Sequence, residues 1–192
     1  MKERKKGWDR PVRLKLIENS SGIPEHMKRL LVGEMEACQA AGRKHMAFAL
    51  NELPLSLNHQ YDHTQYRKKV FNPRTMSHEV VMRGGKKLKP EVHAFRDWVT
   101  LAIGHQRFDW KATGPLSCYV FFQSPYWVTK ERKVRQVDVD NRVKPLLDAI
   151  EKALDTPDEL IWSLHTYKVL GPKERTTVYL FDLGDVVDYH KS

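Results

Sequence analysis

The chain has 192 residues, with 33 lysines and arginines against 24 acids and a formal net charge of +9. That length allows one domain with a sizeable core plus an appendage. Two cysteines are too few for a disulfide framework, and no apolar run approaches the roughly 18 to 20 residues of a membrane span. The basic start carries no apolar stretch behind it, so the cytoplasm is the expected setting, and the charge favours a polyanionic partner such as nucleic acid.

Near the start, Val12, Leu14 and Leu16 alternate with Arg13 and Lys15, which predicts a short strand. Ser20, Ser21 and Gly22 then break the chain. Pro24 can open a helix near 24–41 whose stripe is Met27, Leu30, Leu31, Met35 and Cys38, closed by Gly42. Residues 1–43 are therefore expected to form a basic extension whose helix docks on a core or a partner, ahead of a domain over 44–183 and a tail over 184–192. Residues 45–53 read as a strand ended by Pro54, and 55–72, polar and aromatic, as irregular chain. Residues 79–82 predict a short strand running into a basic turn, Arg83-Gly84-Gly85-Lys86.

Pro90 opens a helix to Ile103 with Val92, Phe95, Val99 and Ala102 inward. Residues 116–122 are the most apolar strand candidate, and 123–136 form a polar, basic loop. Residues 137–140 resume an extended pattern. A helix with Val143, Leu146, Leu147, Ile150 and Leu154 inward follows, then strands over 160–168 and 176–181 about a Gly171-Pro172 turn. Trp110, Phe121, Phe122 and Trp162 read as core. The expected fold class is α+β, a single domain with a mixed sheet packed by helices.

The run from Val137 to Asp148 carries the chemistry. In an extended segment Asp138 and Asp140 project from one face and can converge on one ion. Hard oxygen ligands suit Mg²⁺, with Mn²⁺ as a substitute. The competing structural role is helix capping by Asp140 or Asn141. Lys144 lies one helical turn after Asp140, where it can form an i,i+4 ion pair or stabilise charge developing on a phosphate. Pro145 disturbs the early helix, so the regular helix is expected to begin near Val143 or Lys144.

The stretch D-V-D-N-R-V-K-P-L-L-D-A, Asp138 to Ala149, resembles the signature segment of the RusA-type Holliday junction resolvases. Leu53-Pro54-Leu55-Ser56-Leu57-Asn58-His59-Gln60-Tyr61 is similar to that family's first strand-to-loop passage, and Ala94-Phe95-Arg96-Asp97-Trp98-Val99 to its first core helix. The resemblance covers roughly 45–181. It implies a Mg²⁺-dependent endonuclease, acting as a homodimer that nicks opposite strands of a four-way DNA junction. Carried over by position, it implies Asp138 and Asp140 as essential acids, Lys144 as the catalytic lysine and Asn58 as a DNA contact. The third acid falls at Asp158, with Glu159 and Asp155 as alternatives because Pro157 interrupts the family's pattern.

A straight helix over 144–154 is about 15 Å long, which sets Asp158 near the far end from Asp140. Either the chain doubles back sharply after Leu154, or Asp158 serves a neighbouring subunit's site near a twofold axis.

Lys130, Arg132, Lys133 and Arg135, with Arg83, Lys86, Lys87 and Lys89, are suited to phosphates, which position DNA without reading its sequence. Tyr126 and Trp127 can stack on exposed bases or simply pack. His59 and His63 lack the companions a zinc site needs. No phosphate-cradling glycine loop appears, so no small-molecule cofactor is expected, and branched DNA is the expected partner. The rival readings are a DNA-binding accessory module without catalysis and a transferase holding a metal-bound diphosphate.

Overall fold

The computed structural model describes residues 17, 22–112 and 114–184. The strand expected around Val12, Leu14 and Leu16 lies outside them, as does all but the first residue of the expected tail. In chain order the elements are α1 (Glu25–Ala40), β1 (His45–Leu50), β2 (Tyr61–Asn72), β3 (Ser77–Leu88), α2 (Pro90–Ile103), α3 (Gln106–Asp109), β4 (Leu116–Ser124), α4 (Asp140–Leu154), β5 (Ile161–Leu170) and β6 (Arg175–Asp182). Single 3-10 turns occupy Leu57–His59, Pro125–Trp127 and Asp158–Leu160.

Four strands form one mixed sheet in the order β1-β6-β4-β5. β1 and β4 flank β6 antiparallel, and β5 runs parallel to β4. Every residue of β4 is buried, and the period of two divides them between two cores. Leu116, Cys118, Val120 and Phe122 face the helices α2 and α4, meeting Phe95, Val99, Leu146, Ala149 and Ile150. Tyr119 and Phe121 face the other way, with Tyr179 and Phe181 from β6, onto Met27, Leu31, Met35 and Cys38 of α1. Helix α1 is thus a third layer. Without it four aromatic side chains would form an exposed apolar patch of the kind soluble proteins cover. Leu30, expected on the buried stripe, is 43% exposed, because the stripe at 27, 31, 35 and 38 is narrower than the sequence pattern. On α2, Ile103 is fully buried where Ala102 is only partly so.

Trp162, expected in the core, is 59% exposed. It falls at the irregular start of β5, where the register with β4 shifts, and β5 is the sheet's edge strand. The inward side of this strand is anchored by cross-strand stacking of His165 on Tyr119 (4.5 Å) and Tyr167 on Phe121 (5.0 Å).

The largest departure from expectation is residues 61–88. Residues 55–60 are irregular apart from the 3-10 turn, and 79–82 are extended as expected, but the rest of the irregular segment and the basic turn do not exist as such. Tyr61–Asn72 and Ser77–Leu88 pair residue for residue as a two-stranded antiparallel ribbon, with Arg83, Gly84, Gly85 and Lys86 inside β3. At the tip, the Asn72 side chain accepts a hydrogen bond from the Arg74 amide (3.0 Å), the local turn bond that asparagine favours. No described side chain of the ribbon is buried, so the apolar alternation that betrays a half-buried strand was never written into it.

Leu31→Ala should destabilise the protein by about 2 to 5 kcal/mol in urea unfolding, as for a fully buried leucine. Leu30→Ala, one position away, should cost less than about 1 kcal/mol.

Candidate functional site

Helix α4 positions most of the candidate residues. Its buried stripe, Val143, Leu146, Leu147, Ile150 and Leu154, locks it on the sheet. A flanking stripe, at i, i+4, i+8 and i+11 from Asp140, presents Asp140, Lys144, Asp148 and Glu151 on one side.

Residues 137–140 are not extended to the helix start. Val139 is already helical, at φ −82° and ψ −32°, and α4 begins at Asp140, three or four residues before expectation. Pro145 sits inside the helix and buried; its missing N–H deprives the Asn141 carbonyl of its i+4 donor without delaying the start. The acid that caps is Asp138, not Asp140 or Asn141. Its Oδ1 accepts from the Asp140 amide (3.3 Å) and its Oδ2 from the Asn141 side-chain amide (3.0 Å). Both acids therefore stand at the positive end of the helix dipole, where negative charge is stabilised.

Arg142 fixes this end of the helix against the preceding chain, donating from Nη1 to the Pro54 carbonyl. The Leu57–His59 turn packs on α4, which brings exposed Asn58 to the helix that carries the acids. Lys168, from the end of β5, donates from Nζ to the Val137 carbonyl and lies 5.5 Å from the Trp127 ring centre. Trp127 itself is buried, its indole N–H bonded to the Phe122 carbonyl (2.8 Å). Of the two aromatics in this loop, Tyr126 alone is exposed.

Asp158 comes back to the helix. Asp155 ends α4 in the left-handed region (φ 51°, ψ 43°), and the Thr156 amide bonds to the Glu151 carbonyl (3.3 Å). This reversal turns the chain so sharply that Asp158 Oδ2 accepts a 2.7 Å hydrogen bond from Lys144 Nζ. Lys144 also meets Asp148 Oδ1 at 2.9 Å. The left-handed residue folds the chain back on the outer stripe of its own helix, where Asp158 meets the Lys144 side chain and gathers with Asp148 and Glu151, 8 and 11 residues along α4 from Asp140. Of the alternatives for the third acid, Glu159 is exposed and Asp155 is the helix cap.

Among the described residues, the carboxylates whose oxygens gather within 4.8 Å are Asp148, Glu151 and Asp158. Asp138 and Asp140 do not belong to that group, and neither do His59 and His63. Asp148 and Glu151 were missed as site residues, although their i+4 and i+7 spacing from Lys144 was readable.

The two carboxylates, Asp158 first and Asp148 second, raise the Lys144 pKa above its ordinary value. The ammonium form therefore persists at any physiological pH, and Lys144 cannot act as a general base. The interaction contributes fully below the unfolded lysine pKa of about 10.4 and is lost only as pH rises through the higher folded value. Its side chain is 51% exposed, so solvent screens what this adds to stability.

The loop cations Lys130, Arg132, Lys133 and Arg135 are all exposed. They ride on a tight reversal in which Val128 bridges Val134 and the Thr129 amide bonds to the Lys133 carbonyl (2.8 Å). Lys86 and Lys87 lie on the ribbon, Lys86 5.7 Å from the Tyr61 ring centre. Lys89, at the ribbon's root, is 3.8 Å from Asp62 and so has part of its charge answered.

In ¹⁵N-detected NMR of the Lys144 ammonium, Asp158→Asn should bring its titration down toward the ordinary lysine range. Asp148→Asn should lower it by less.

A family model described as Endodeoxyribonuclease RusA matches residues 70–180, more than half of the chain. No curated protein matches it.

Proposed function

Since the chain belongs to the RusA endodeoxyribonuclease family, we propose that it cuts four-way DNA junctions by paired nicks, as a Mg²⁺-dependent homodimer. Membership makes it an endodeoxyribonuclease of a family that resolves Holliday junctions and is generally dependent on a divalent metal. The rival readings as a binding module without catalysis or as a transferase give way to that membership. No helix among the described residues is long and apolar enough to cross a membrane.

The observation that carries the site assignment is the company of Lys144. A protonated lysine held at 2.7 Å and 2.9 Å by two carboxylates marks a local field that attracts cations within a chain of net charge +9. Hard carboxylate oxygens in that field fit Mg²⁺ or Mn²⁺. Asp138, Asp140 and Asp158 are the proposed ligands, Asp158 standing with Asp148 and Glu151 rather than with the first two. When bound, a divalent cation supplies Lewis acidity at a phosphoryl oxygen and lowers the pKa of its water.

The chain's own residues supply the rest. Asp138 holds the first turn of α4 in place through the Asp140 amide, and Arg142 holds that turn to Pro54, so the acids are set before DNA arrives. Lys144, always charged, is suited to neutralise negative charge on the attacked phosphate or the leaving oxygen as one P–O bond is exchanged for a bond to water oxygen. Asp148 keeps a grip on Lys144 if Asp158 turns to an ion. Lys130, Arg132, Lys133, Arg135, Lys86, Lys87 and Lys89 are placed on exposed loop and ribbon to hold phosphates. The homodimer is supported by the edge of β5, unpaired among the described residues, which leaves Trp162 and Leu164 exposed, the kind of edge that natural proteins cover.

A synthetic four-way junction incubated with Mg²⁺ should be nicked symmetrically, while linear duplex of equal length stays intact. Asp138→Asn and Asp140→Asn should each slow cleavage about a hundredfold or more, and chelator should abolish it. Tight junction binding with no cleavage in any metal would refute the proposal. Separately, replacing Lys133 or Arg135 by alanine should weaken binding to all sequences alike and reduce the salt slope by about one per residue.

A further inference from the structure

The β2–β3 ribbon has a job that its cations alone do not explain. Twelve paired residues on each strand make an arm about 40 Å long. Outside its own pairing it touches the rest of the protein chiefly at the Leu57–His59 turn. Seven of its side chains are basic and two acidic, so it carries more than half of the chain's net charge. Cross-strand pairing distributes those cations over both faces: Arg67, Lys69 and Lys86 on one, Lys68, Arg83 and Lys87 on the other. A two-stranded ribbon of this kind fits a nucleic-acid groove, where phosphates line both walls.

The distal half is different. Phe71 is 49% exposed, Val80 57%, Met82 55% and Met76, in the turn, 77%. Phe71, Val80 and Met82 lie on one face, and Phe71 meets His78 edge to face with ring centres 5.4 Å apart. Large apolar side chains at the end of a basic arm need a ligand that is anionic along its length and apolar at one place. Nucleic acid offers that combination where its base stack is interrupted, because the stacked bases of a continuous duplex hide their faces. A four-way junction has such an interruption at its branch point.

Building on the junction reading above, we infer that the ribbon tip, Phe71, Met76 and His78, is a wedge that stacks on bases at the branch point while the shaft cations grip the flanking phosphates. Side chains of these types serve as wedges between base steps, and stacking on an aromatic ring is tolerant of sequence. The charge complementarity of the shaft commits the tip to DNA rather than to a second copy of this chain, which would bring seven more basic groups against the first seven.

The test uses the full chain carrying Asp140→Asn, in chelator, with 2-aminopurine at the branch point of a synthetic four-way junction or inside a linear duplex. The intact tip should bind the junction more tightly and change the fluorescence of the branch-point base only. Phe71→Ala with Met76→Ala should lower junction affinity about tenfold, leave duplex affinity within about twofold, and abolish the fluorescence change. Phe71→Trp should preserve all three. Thermal unfolding of the variants should match the parent, since Phe71 and Met76 are 49% and 77% exposed.

Junction affinity that is unchanged, or that falls in step with duplex affinity, overturns the wedge and leaves the resolvase reading standing. Loss of the dimer mass in sedimentation without DNA overturns it in favour of a contact between copies. No preference for junction over duplex by the intact tip overturns both readings.

Discussion

The parallel pairing of β4 with β5 governs the molecule. Antiparallel neighbours can be joined by a tight turn, but two parallel strands require a crossover that carries the chain back along the sheet. Here that crossover is the 15-residue helix α4 with its flanking loops. Because β4 is buried along its whole length, the helix covering it has no freedom to slide. Leu146 and Ala149 are fully buried beneath it, and whatever stands on its outer stripe is held as firmly as the core itself. The acids and the lysine stand there. The start of the crossover also offers its orphan amides and positive dipole end to carboxylates, and Asp138 and Asp140 occupy that place.

A second constraint follows from crowding. Three carboxylates with oxygens within 4.8 Å of one another repel. Lys144 answers that repulsion with a counter-charge that pH does not remove. An exposed ion pair of this kind adds little to folding, so its meaning lies in the charge state it maintains. Under the proposed function, the same lysine remains on hand for a phosphate.

Much of this was legible in the residues. The apolar stripes of α1, α2 and α4 and the strands β4, β5 and β6 announced themselves by period, and the D-x-D-N-x-x-K pattern pointed to the start of the proposed site. The failures have physical causes, the first being that sequence patterns report burial and are silent where burial is absent. The ribbon over Tyr61–Leu88 has no buried face, so its polar residues read as loop. Trp162 was assigned to the core for its size, but the edge position of β5 outweighed hydrophobicity. The return of Asp158 turned on the left-handed conformation of Asp155, a backbone choice that no side-chain pattern encodes. Asp148 and Glu151 were visible at helical spacing, yet only the fold brings a third acid to meet them.

One hydrogen bond at the root of the ribbon has a wider meaning. The Lys89 amide donates to the Gln60 carbonyl at 2.9 Å, so the 28 residues of Tyr61–Leu88 leave the body and re-enter it at the same point. Such a segment works as a bracket. It can be shortened, lengthened or exchanged without moving either end, because closing the gap costs almost the same whatever lies inside. The reach of the arm is therefore free to drift among relatives while the helix bearing the acids remains untouched, and substrate geometry and cutting chemistry can evolve as separate characters.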